Sequence, residues 1–528
     1  MRSPLLQIGG VPSDTLGDIV SPDIAYRSLL PIFIVFGAAV IGVLVEGFAR
    51  PARRRALQLL VSLAGLVLAF AAVVVLALDN TSELVASAAV AVDGPTLFLQ
   101  GVLCLLGASG VLLLSEQKLD SSGGEVVTQA AAMPGSRDDV RLAEATGIQT
   151  EVYPLALFAL GGMLLFPASN NLLLMFIALE VLSLPLYLMC GLARRKRLLS
   201  QEAALKYFLL GAFGSAFFLY GVALLYGYAG SVNLGDIFTA TGNAASNELL
   251  MVLGLAMLAV GLLFKVGAVP FQAWTPDVYQ GAPTPVTALM AACTKIAAFG
   301  ALLRVLYVGF GRTEWDWRPM MWGVAILTMV VGAVLAVTQT DVKRMLAYSS
   351  IAHTGFILVG VIAVNRSGLS GTLFYLAAYG FTTLASFAVV SLVRDASGEA
   401  THLASWAGLA RRSPLVAGVF GFFLLSLAGI PLTSGFIAKF AVFRAATEGG
   451  ATALVVVGVV TSAVTTFFYA RVLVLMFFSE PAVDGPTVAI PSAFTAATIA
   501  LGFAVTLVLG VMPEPLLDLA DRAALFVR

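Results

Sequence analysis

The chain has 528 residues, of which 59% are hydrophobic and only 11% charged, with 30 basic residues balanced by 30 acidic ones. Soluble domains carry about 25% charged residues, so a water-soluble chain this poor in charge could not cover its own surface. Zero net charge leaves no basic field for nucleic acid, and a mean hydropathy of +0.96 points to an all-α polytopic membrane protein.

In chain order, residues 1–24 form a polar segment without the charged start and short apolar run of a cleaved signal peptide. A bilayer core of ~30 Å needs ~20 apolar helical residues. Fourteen segments meet or approach that length, at about 25–47, 56–78, 96–115, 152–167, 171–192, 202–228, 248–281, 284–309, 320–339, 345–364, 369–393, 414–446, 451–478 and 489–512. The chain is thus expected to divide into spans 1–3 over 25–115, a polar insertion at 116–150, spans 4–8 over 151–310, spans 9–13 over 319–478, and span 14 with a tail over 488–528. The insertion carries Ser121, Ser122, Gly123 and Gly124 followed by mixed charge, and reads as a mobile loop outside the chemistry.

Lys and Arg in the loops set the orientation. Arg50, Arg53, Arg54 and Arg55 follow span 1, Arg194, Arg195, Lys196 and Arg197 follow span 5, Lys343 and Arg344 follow span 9, and Arg394, Arg411 and Arg412 follow span 11. With fourteen alternating spans all of these loops share one side. The loops at 79–83, 168–170 and 229–247 on the other side contain neither Lys nor Arg. Both termini are therefore expected outside.

Residues 248–281 and 414–446 are too long for simple spans, since a continuous helix of that length would reach ~50 Å. Each contains a proline, Pro270 or Pro431, and a lysine, Lys265 or Lys439. Proline breaks a helix by removing a donor. The pattern predicts two inverted five-helix repeats, spans 4–8 and 9–13, each built around a discontinuous helix at span 7 or 12. Such broken backbone is tolerated at membrane depth only where protein or a wet cavity covers it.

Of seven lysines, four fall within apolar spans: Lys206, Lys265, Lys295 and Lys439. Glu180 lies near the middle of span 5 and His353 near the middle of span 10. A lysine in a span costs roughly 2.5–3.5 kcal/mol on insertion scales and usually marks an ion or proton path. Glu180 and Lys265 fall in the same half, where an opposite charge nearby would keep each ionised, and a change in their separation would load or unload a proton. The bland readings stay open. A Lys–Glu pair can simply satisfy two buried charges, His353 can be an interhelical hydrogen-bonding group, and Lys206, a turn or two into its span, can snorkel to the interface. Asp277 and Tyr279, in the proline-rich stretch after the first break, read as groups that cap or pin it. Cys104, Cys190 and Cys293 lie far apart in apolar runs without a CxxC, and the two histidines, His353 and His402, are too few for a centre built mainly on His. No GxGxxG, P-loop or clustered metal ligands occur, so energy is expected from a partner or an ion gradient.

The stretches LEVLSLPLY at 179–187, EAALKYFLLGAF at 202–213, GLLFKVGAVPFQAWTPDVYQGAPTPVTA at 261–288, TKIAAFG at 294–300, QTDVKRMLAYSSIAHTGF at 339–356 and IPLTSGFIAKF at 430–440 carry a family. Across spans 5–12 the sequence resembles the antiporter-like proton-channel subunits of respiratory complex I, with its TPDVYQGAPTPV and KYF wording nearest to the N branch rather than L or M. The resemblance implies a proton path over Glu180, Lys206, Lys265, Lys295, His353 and Lys439. Electron transfer from NADH to quinone in other subunits would drive it, with FMN and iron–sulfur clusters held there and no cofactor in this chain. It implies subunits M, K and J as partners, with L in the same arm, membrane lipids around them, and a bacterial plasma-membrane location. The insertion at 116–150 is not typical of the family. The runner-up is a subunit of a multisubunit cation/proton antiporter or membrane-bound hydrogenase. A purely structural membrane subunit is the third reading.

Overall fold

The computed structural model describes residues 24–119, 126, 136–137, 149–242, 247–395, 398–481 and 485–528. The segment 1–24 up to residue 23, and most of the 116–150 insertion, lie outside the described residues, as do the expectations placed on them.

Among the described residues the chain order is α1 Leu30–Phe48, α2 Pro51–Leu78, α3 Gly94–Leu114, α4 Val152–Leu165, α5 Leu172–Cys190, α6 Arg197–Ala229, α7 Glu248–Val266, α8 Trp274–Gly281, α9 Thr284–Gly309, α10 Glu314–Val337, α11 Val342–Ile362, α12 Arg366–Val390, α13 Pro414–Ala428, α14 Ser434–Glu448, α15 Thr452–Phe478, α16 Ala493–Val511 and α17 Glu514–Ala523, with three one- to two-turn helices in the loops. Several helices start on a side-chain cap that satisfies an orphan amide. Asp93, Asn171, Asp341 and Asn365 accept from the amides of Thr96, Leu173 and Leu174, Arg344, and Gly368. Among the described residues, twelve helices are long and apolar enough to cross a membrane, and α4 and α13 are shorter apolar helices.

The expectation of an all-α chain holds for the helical body but not for three of the loops. β1 Glu83–Val85 pairs antiparallel with β2 Val90–Val92, and β3 Val393–Asp395 pairs antiparallel with both β4 Gly398–Glu399 and β5 Thr487–Val488. These short segments hold Val and Thr, which favour extended backbone once the chain has left the apolar region.

Burial is concentric. All of the apolar window of α9 and of α12 is buried, and 94% of that of α11, against 33% for α1, α2, α15 and α16. A charge on α9 or α11 therefore faces protein and not lipid. Helices α6 and α7 run along each other, and small residues allow the approach. A Cβ on Gly221 would lie 2.5 Å from the Leu258 amide nitrogen.

Both long segments are broken, but the stop is a glycine. Helix α7 ends at Gly267 (φ +74°), three residues before Pro270, and α13 ends at Gly429 (φ +85°), two before Pro431. The left-handed turn closes the last helical carbonyls, which a residue with a Cβ does at a steric cost. The proline then bars the helix from resuming at once.

Candidate functional site

Lys265 sits in the last turn of α7, buried. Its ammonium donates to the Ser183 hydroxyl of α5 at 2.7 Å and the Tyr207 hydroxyl of α6 at 3.2 Å. The rings of Tyr187 and Tyr207 lie 5.8 and 5.2 Å away, close enough for a cation–π attraction. The Tyr207 ring stacks on Trp274 at 4.7 Å, and the Trp274 indole donates to the Phe264 carbonyl at 3.0 Å. The first residue of α8 thus closes back over the amine at the end of α7.

Glu180 does not touch that amine. No ion pair within 4.0 Å joins Glu180 to Lys265, and in this arrangement neutral hydroxyls hold the amine. The cause is local: Ser183 lies one turn after Glu180 on α5, and that turn meets the end of α7. The Ser183 hydroxyl donates on to the Leu179 carbonyl. Glu180 is half-buried and its Oε1 has no protein partner.

Lys206 stands apart from the other lysines. Its side chain is 41% exposed and pairs with Glu202 and Asp277, each at 2.7 Å. The other Asp277 oxygen accepts from Arg344 at 2.6 Å, and Arg344 donates to Gln280 at 3.1 Å. This bracket ties α6 and α11 to α8. Asp277 therefore pins the far half of the broken helix, as its sequence position suggested.

Lys295 follows a π-helical turn, Met290–Thr294, inside α9, and such turns are frequent at functional sites. Its buried ammonium donates to the Ser350 carbonyl and the Thr354 hydroxyl of α11, both at 2.6 Å, with the Tyr379 ring at 5.2 Å. The Thr354 hydroxyl lies 2.9 Å from the carbonyl of Val266, the residue after Lys265. His353 sits one helical step away. Its Nδ1 is 2.8 Å from the Tyr375 hydroxyl and its Nε2 is 3.4 Å from the Tyr469 hydroxyl, which also bonds Ser349.

Lys439, on α14, donates to the carbonyls of Leu427 and Ala428 at 3.1 and 2.8 Å and to the Ser462 hydroxyl at 3.0 Å, with the Phe356 ring at 4.8 Å. Those carbonyls end α13, so the break supplies the orphan acceptors and negative dipole end that a buried cation needs. At the first break the arrangement differs, since Lys265 sits in the last turn of α7 itself and its ammonium meets hydroxyls of α5 and α6.

One helix organises the set. Ser350 and Thr354 of α11 face Lys295. Ser349, His353 and Phe356, about 100° per residue further round, face Tyr469, Tyr375 and Lys439. Among the described residues the structure brings Lys265, Lys295, His353 and Lys439 around α11, leaves Glu180 at the flank, and sets Lys206 at the edge. The sequence did not single out Ser183, Tyr207, Thr354, Tyr375, Tyr469 or Ser462. The available signal was polar groups at helical spacing, Glu180/Ser183 and Ser349/Ser350/His353/Thr354.

A second buried charge cluster also escaped notice. Arg304 of α9 and Asp93 at the start of α3 are both fully buried, with Arg304 Nη2 at 2.8 Å from Asp93, 2.7 Å from Thr96, and Nε donating to the Pro167 carbonyl at 2.7 Å. Asp93 also accepts from the Val527 amide at 3.0 Å. The pair locks α3, α9 and the end of the chain together. Among the described residues no three of His, Cys, Asp and Glu gather as a metal site.

The sequence pattern of the family described as NADH:quinone oxidoreductase/Mrp antiporter, TM matches residues 169–465, which spans all six candidate residues. The chain is 62% identical to NADH-quinone oxidoreductase subunit N of Rhodococcus opacus, over 97% of this chain and 98% of that one. It is also 62% identical to the subunit N of a Parafrankia species, over 96% of each chain. Among solved structures, a chain of respiratory complex I from Thermus thermophilus is 34% identical, covers 93% of this chain and 99% of its own, and superposes with a TM-score of 0.74. A chain of the Mrp complex from a Dietzia species is 25% identical with a TM-score of 0.78, over 95% and 97%.

Proposed function

The chain belongs to the NADH-quinone oxidoreductase subunit N family, and from that premise we propose how its buried charges move protons. It is a membrane-arm subunit of a proton-translocating NADH-quinone oxidoreductase. Redox chemistry, with FMN and iron–sulfur clusters, belongs to partner subunits. The proton path in this chain runs over Glu180, Lys265, Lys295, His353 and Lys439, with Lys206 acting on it from the edge through Asp277 and α8.

The observation that carries this reading is the contact at the centre of the chain. Lys295 donates to Thr354, and Thr354 lies 2.9 Å from the Val266 carbonyl, next to Lys265. One hydroxyl therefore joins the lysine of α9 to the backbone at the end of the first broken helix, one residue from Lys265. Buried polar atoms without protein partners occur along the same line, on Glu180, Thr294, Ser350 and Thr383. Buried polar groups are rarely left unsatisfied, and ordered water meets that need where a site is polar and roomy enough. A lysine ammonium passing its proton to such water and regaining one from the next group would carry charge along the axis without a resident cofactor.

The fourteen-span layout with inverted repeats at spans 4–8 and 9–13 fits this reading. The two left-handed glycine stops, and the lysine that each broken segment carries beside its stop, support it. Subunits M, K, J and L as partners, a bacterial plasma-membrane location and both termini outside are parts of the same proposal. The likeness to the Mrp complex keeps a cation/proton antiporter as the second reading, but the relatives at 62% identity favour the oxidoreductase.

Thr354→Val keeps the shape and removes the hydroxyl. In assembled complex in inside-out vesicles, NADH–quinone turnover and the pH gradient are expected to fall together. Wild-type values for both in a fully assembled complex would contradict the central link.

A further inference from the structure

Helix α14 is a 15-residue piece between two glycine turns, Gly429 before it and Gly450 after it, with left-handed φ of +85° and +76°. Glycine leaves the backbone free at both ends. The helix carries Lys439 and runs beside α11, which carries His353. The Lys439 ammonium lies 4.8 Å from the Phe356 ring. A Cβ on Gly360 would come within 2.8 Å of Val442 Cγ1, and one on Gly449 would collide with the Ala363 carbonyl. Residues 356, 360 and 363 thus meet 439, 442 and 449 in order, so the two helices lie parallel and in close contact from Lys439 to their far ends.

Arg318 closes that contact. It lies one turn into α10, the end of a helix where the dipole disfavours a cation, and its partners are the last carbonyls of two other helices. Its Nε donates to the Ile362 carbonyl of α11 at 3.0 Å, and its Nη2 donates to the Gly449 carbonyl just past α14. Such carbonyls are orphan acceptors at the negative end of a helix, where a cation is favoured. A guanidinium is planar, with its donors fixed in a rigid fork, so gripping both carbonyls sets the height of α14 against α11. Ile362 lies ~14 Å along its helix from His353, and Gly449 ~15 Å from Lys439. The clamp therefore stands at nearly the same height above both groups. Tyr307 of α9 also reaches the end of α11, donating to the Val361 carbonyl at 3.0 Å, but among the described residues its hydroxyl has no hydrogen bond to α14. Asn365 donates to the Ala445 carbonyl at 2.9 Å and caps α12, which ties the last turn of α14 to the start of α12.

We propose that Arg318 is a positioning residue of the proton path: by clamping the ends of α11 and α14 in register, it holds Lys439 level with His353. The inference rests on the reading that Lys439 and His353 carry protons, and it places no proton on Arg318 itself. Without the fork, α14 can slide or tilt about its two glycine turns. A misplacement of about 1 Å in a reacting geometry costs up to about 10²-fold in rate.

The test is a double-mutant cycle in the assembled complex, with NADH–quinone turnover and the pH gradient read in inside-out vesicles and assembly followed on a native gel. Arg318→Gln is expected to lower both readouts roughly tenfold, the factor that loss of a hydrogen bond to a charged group brings. Arg318→Lys keeps the charge but loses the fork, and is expected to restore little. Tyr307→Phe, which loosens α11 alone, is expected to cost far less. Arg318→Gln/Lys439→Met is expected to be no worse than Lys439→Met, because both act on one step. Should Arg318→Gln fail to assemble, Arg318→Lys takes its place in the cycle. Wild-type readouts in Arg318→Gln, or their restoration by Arg318→Lys, overturn the proposal. So do losses that multiply in the double variant, or a loss in Tyr307→Phe as large as that in Arg318→Gln. Wild-type turnover and gradient in assembled Lys439→Met overturn the underlying reading together with the proposal, which tells the two failures apart.

Discussion

Lys265, Lys295 and Lys439 are each held by hydroxyls and carbonyls rather than by a carboxylate. In the proposed path such a neutral shell would solvate each ammonium while leaving it free to pass on a proton, whereas a tight ion pair would fix the charge. Hydrogen bonds to charged groups are worth about 1.5–3 kcal/mol. Ser183→Ala is therefore expected to slow coupled turnover by roughly tenfold or more in assembled complex, at about 1.4 kcal/mol per tenfold, measured as NADH–quinone rate in vesicles. Lys206→Met should change that rate far less, because its partners Glu202 and Asp277 form a half-exposed bracket, worth up to about 1 kcal/mol per pair. An equal loss in both variants would contradict this division. The lysines themselves were legible in the sequence, since a charge in an apolar run stands out. Their partners were not. Ser, Thr and Tyr recur all along apolar helices, and only the packing of α5, α6 and α11 tells which of them meets an amine.

At the scale of the element, the breaks in the two long segments do chemical work by exposing carbonyls. Proline marked the breaks in the sequence to within a few residues, while the stops are Gly267 and Gly429. Glycine is common enough in this chain, with 51 copies, that no single one signals a stop. Gly429 has a second duty, because a Cβ there would lie 3.2 Å from Lys439 Nζ. Gly429→Ala should both strain the turn, by about 1–2 kcal/mol, and displace the lysine. Gly450→Ala carries a similar left-handed φ of +76° with nothing within 4 Å. Loss of the pH gradient in the first variant, with only lowered thermal stability in the second, would bear out the assignment; equal behaviour would count against it. The Arg304–Asp93 lock makes a different prediction. Removing one partner of a buried pair costs about 3–5 kcal/mol, so Asp93→Asn should impair assembly on native gels, and Asp93→Asn/Arg304→Gln should recover part of it. Asp93 was missed because it reads from the sequence as an ordinary helix cap in a loop, and nothing in one chain's spacing links it to residue 304.

The whole molecule wraps Lys295 and His353 in helices and turns apolar faces outward. The wrapping of α9, α11 and α12 lets a charge persist at depth, and the exposed apolar sides of α1, α2, α6 and α15 are left for lipid and neighbouring subunits. Twelve of the apolar segments correspond to helices long enough to span, and those at 152–167 and 414–446 to shorter apolar helices. Hydropathy carries that much because backbone in lipid has few choices. The clustering of Lys295 and His353 on one central helix pair was not legible, since it depends on how distant segments pack. Orientation is checked by thiol labelling, for which the three native cysteines are all buried. Arg53→Cys should react with an impermeant reagent only in inside-out vesicles and Ser82→Cys only in right-side-out spheroplasts; the reverse pattern would invert the layout.

The most direct test of the proton path is Lys265→Met in the intact membrane. Inside-out vesicles are assayed for NADH–quinone turnover and for the pH gradient it generates, with assembly followed on a native gel. The account predicts an assembled complex in which turnover and gradient fall together. An assembled complex with both at wild-type levels would contradict it and leave the buried charges a structural role.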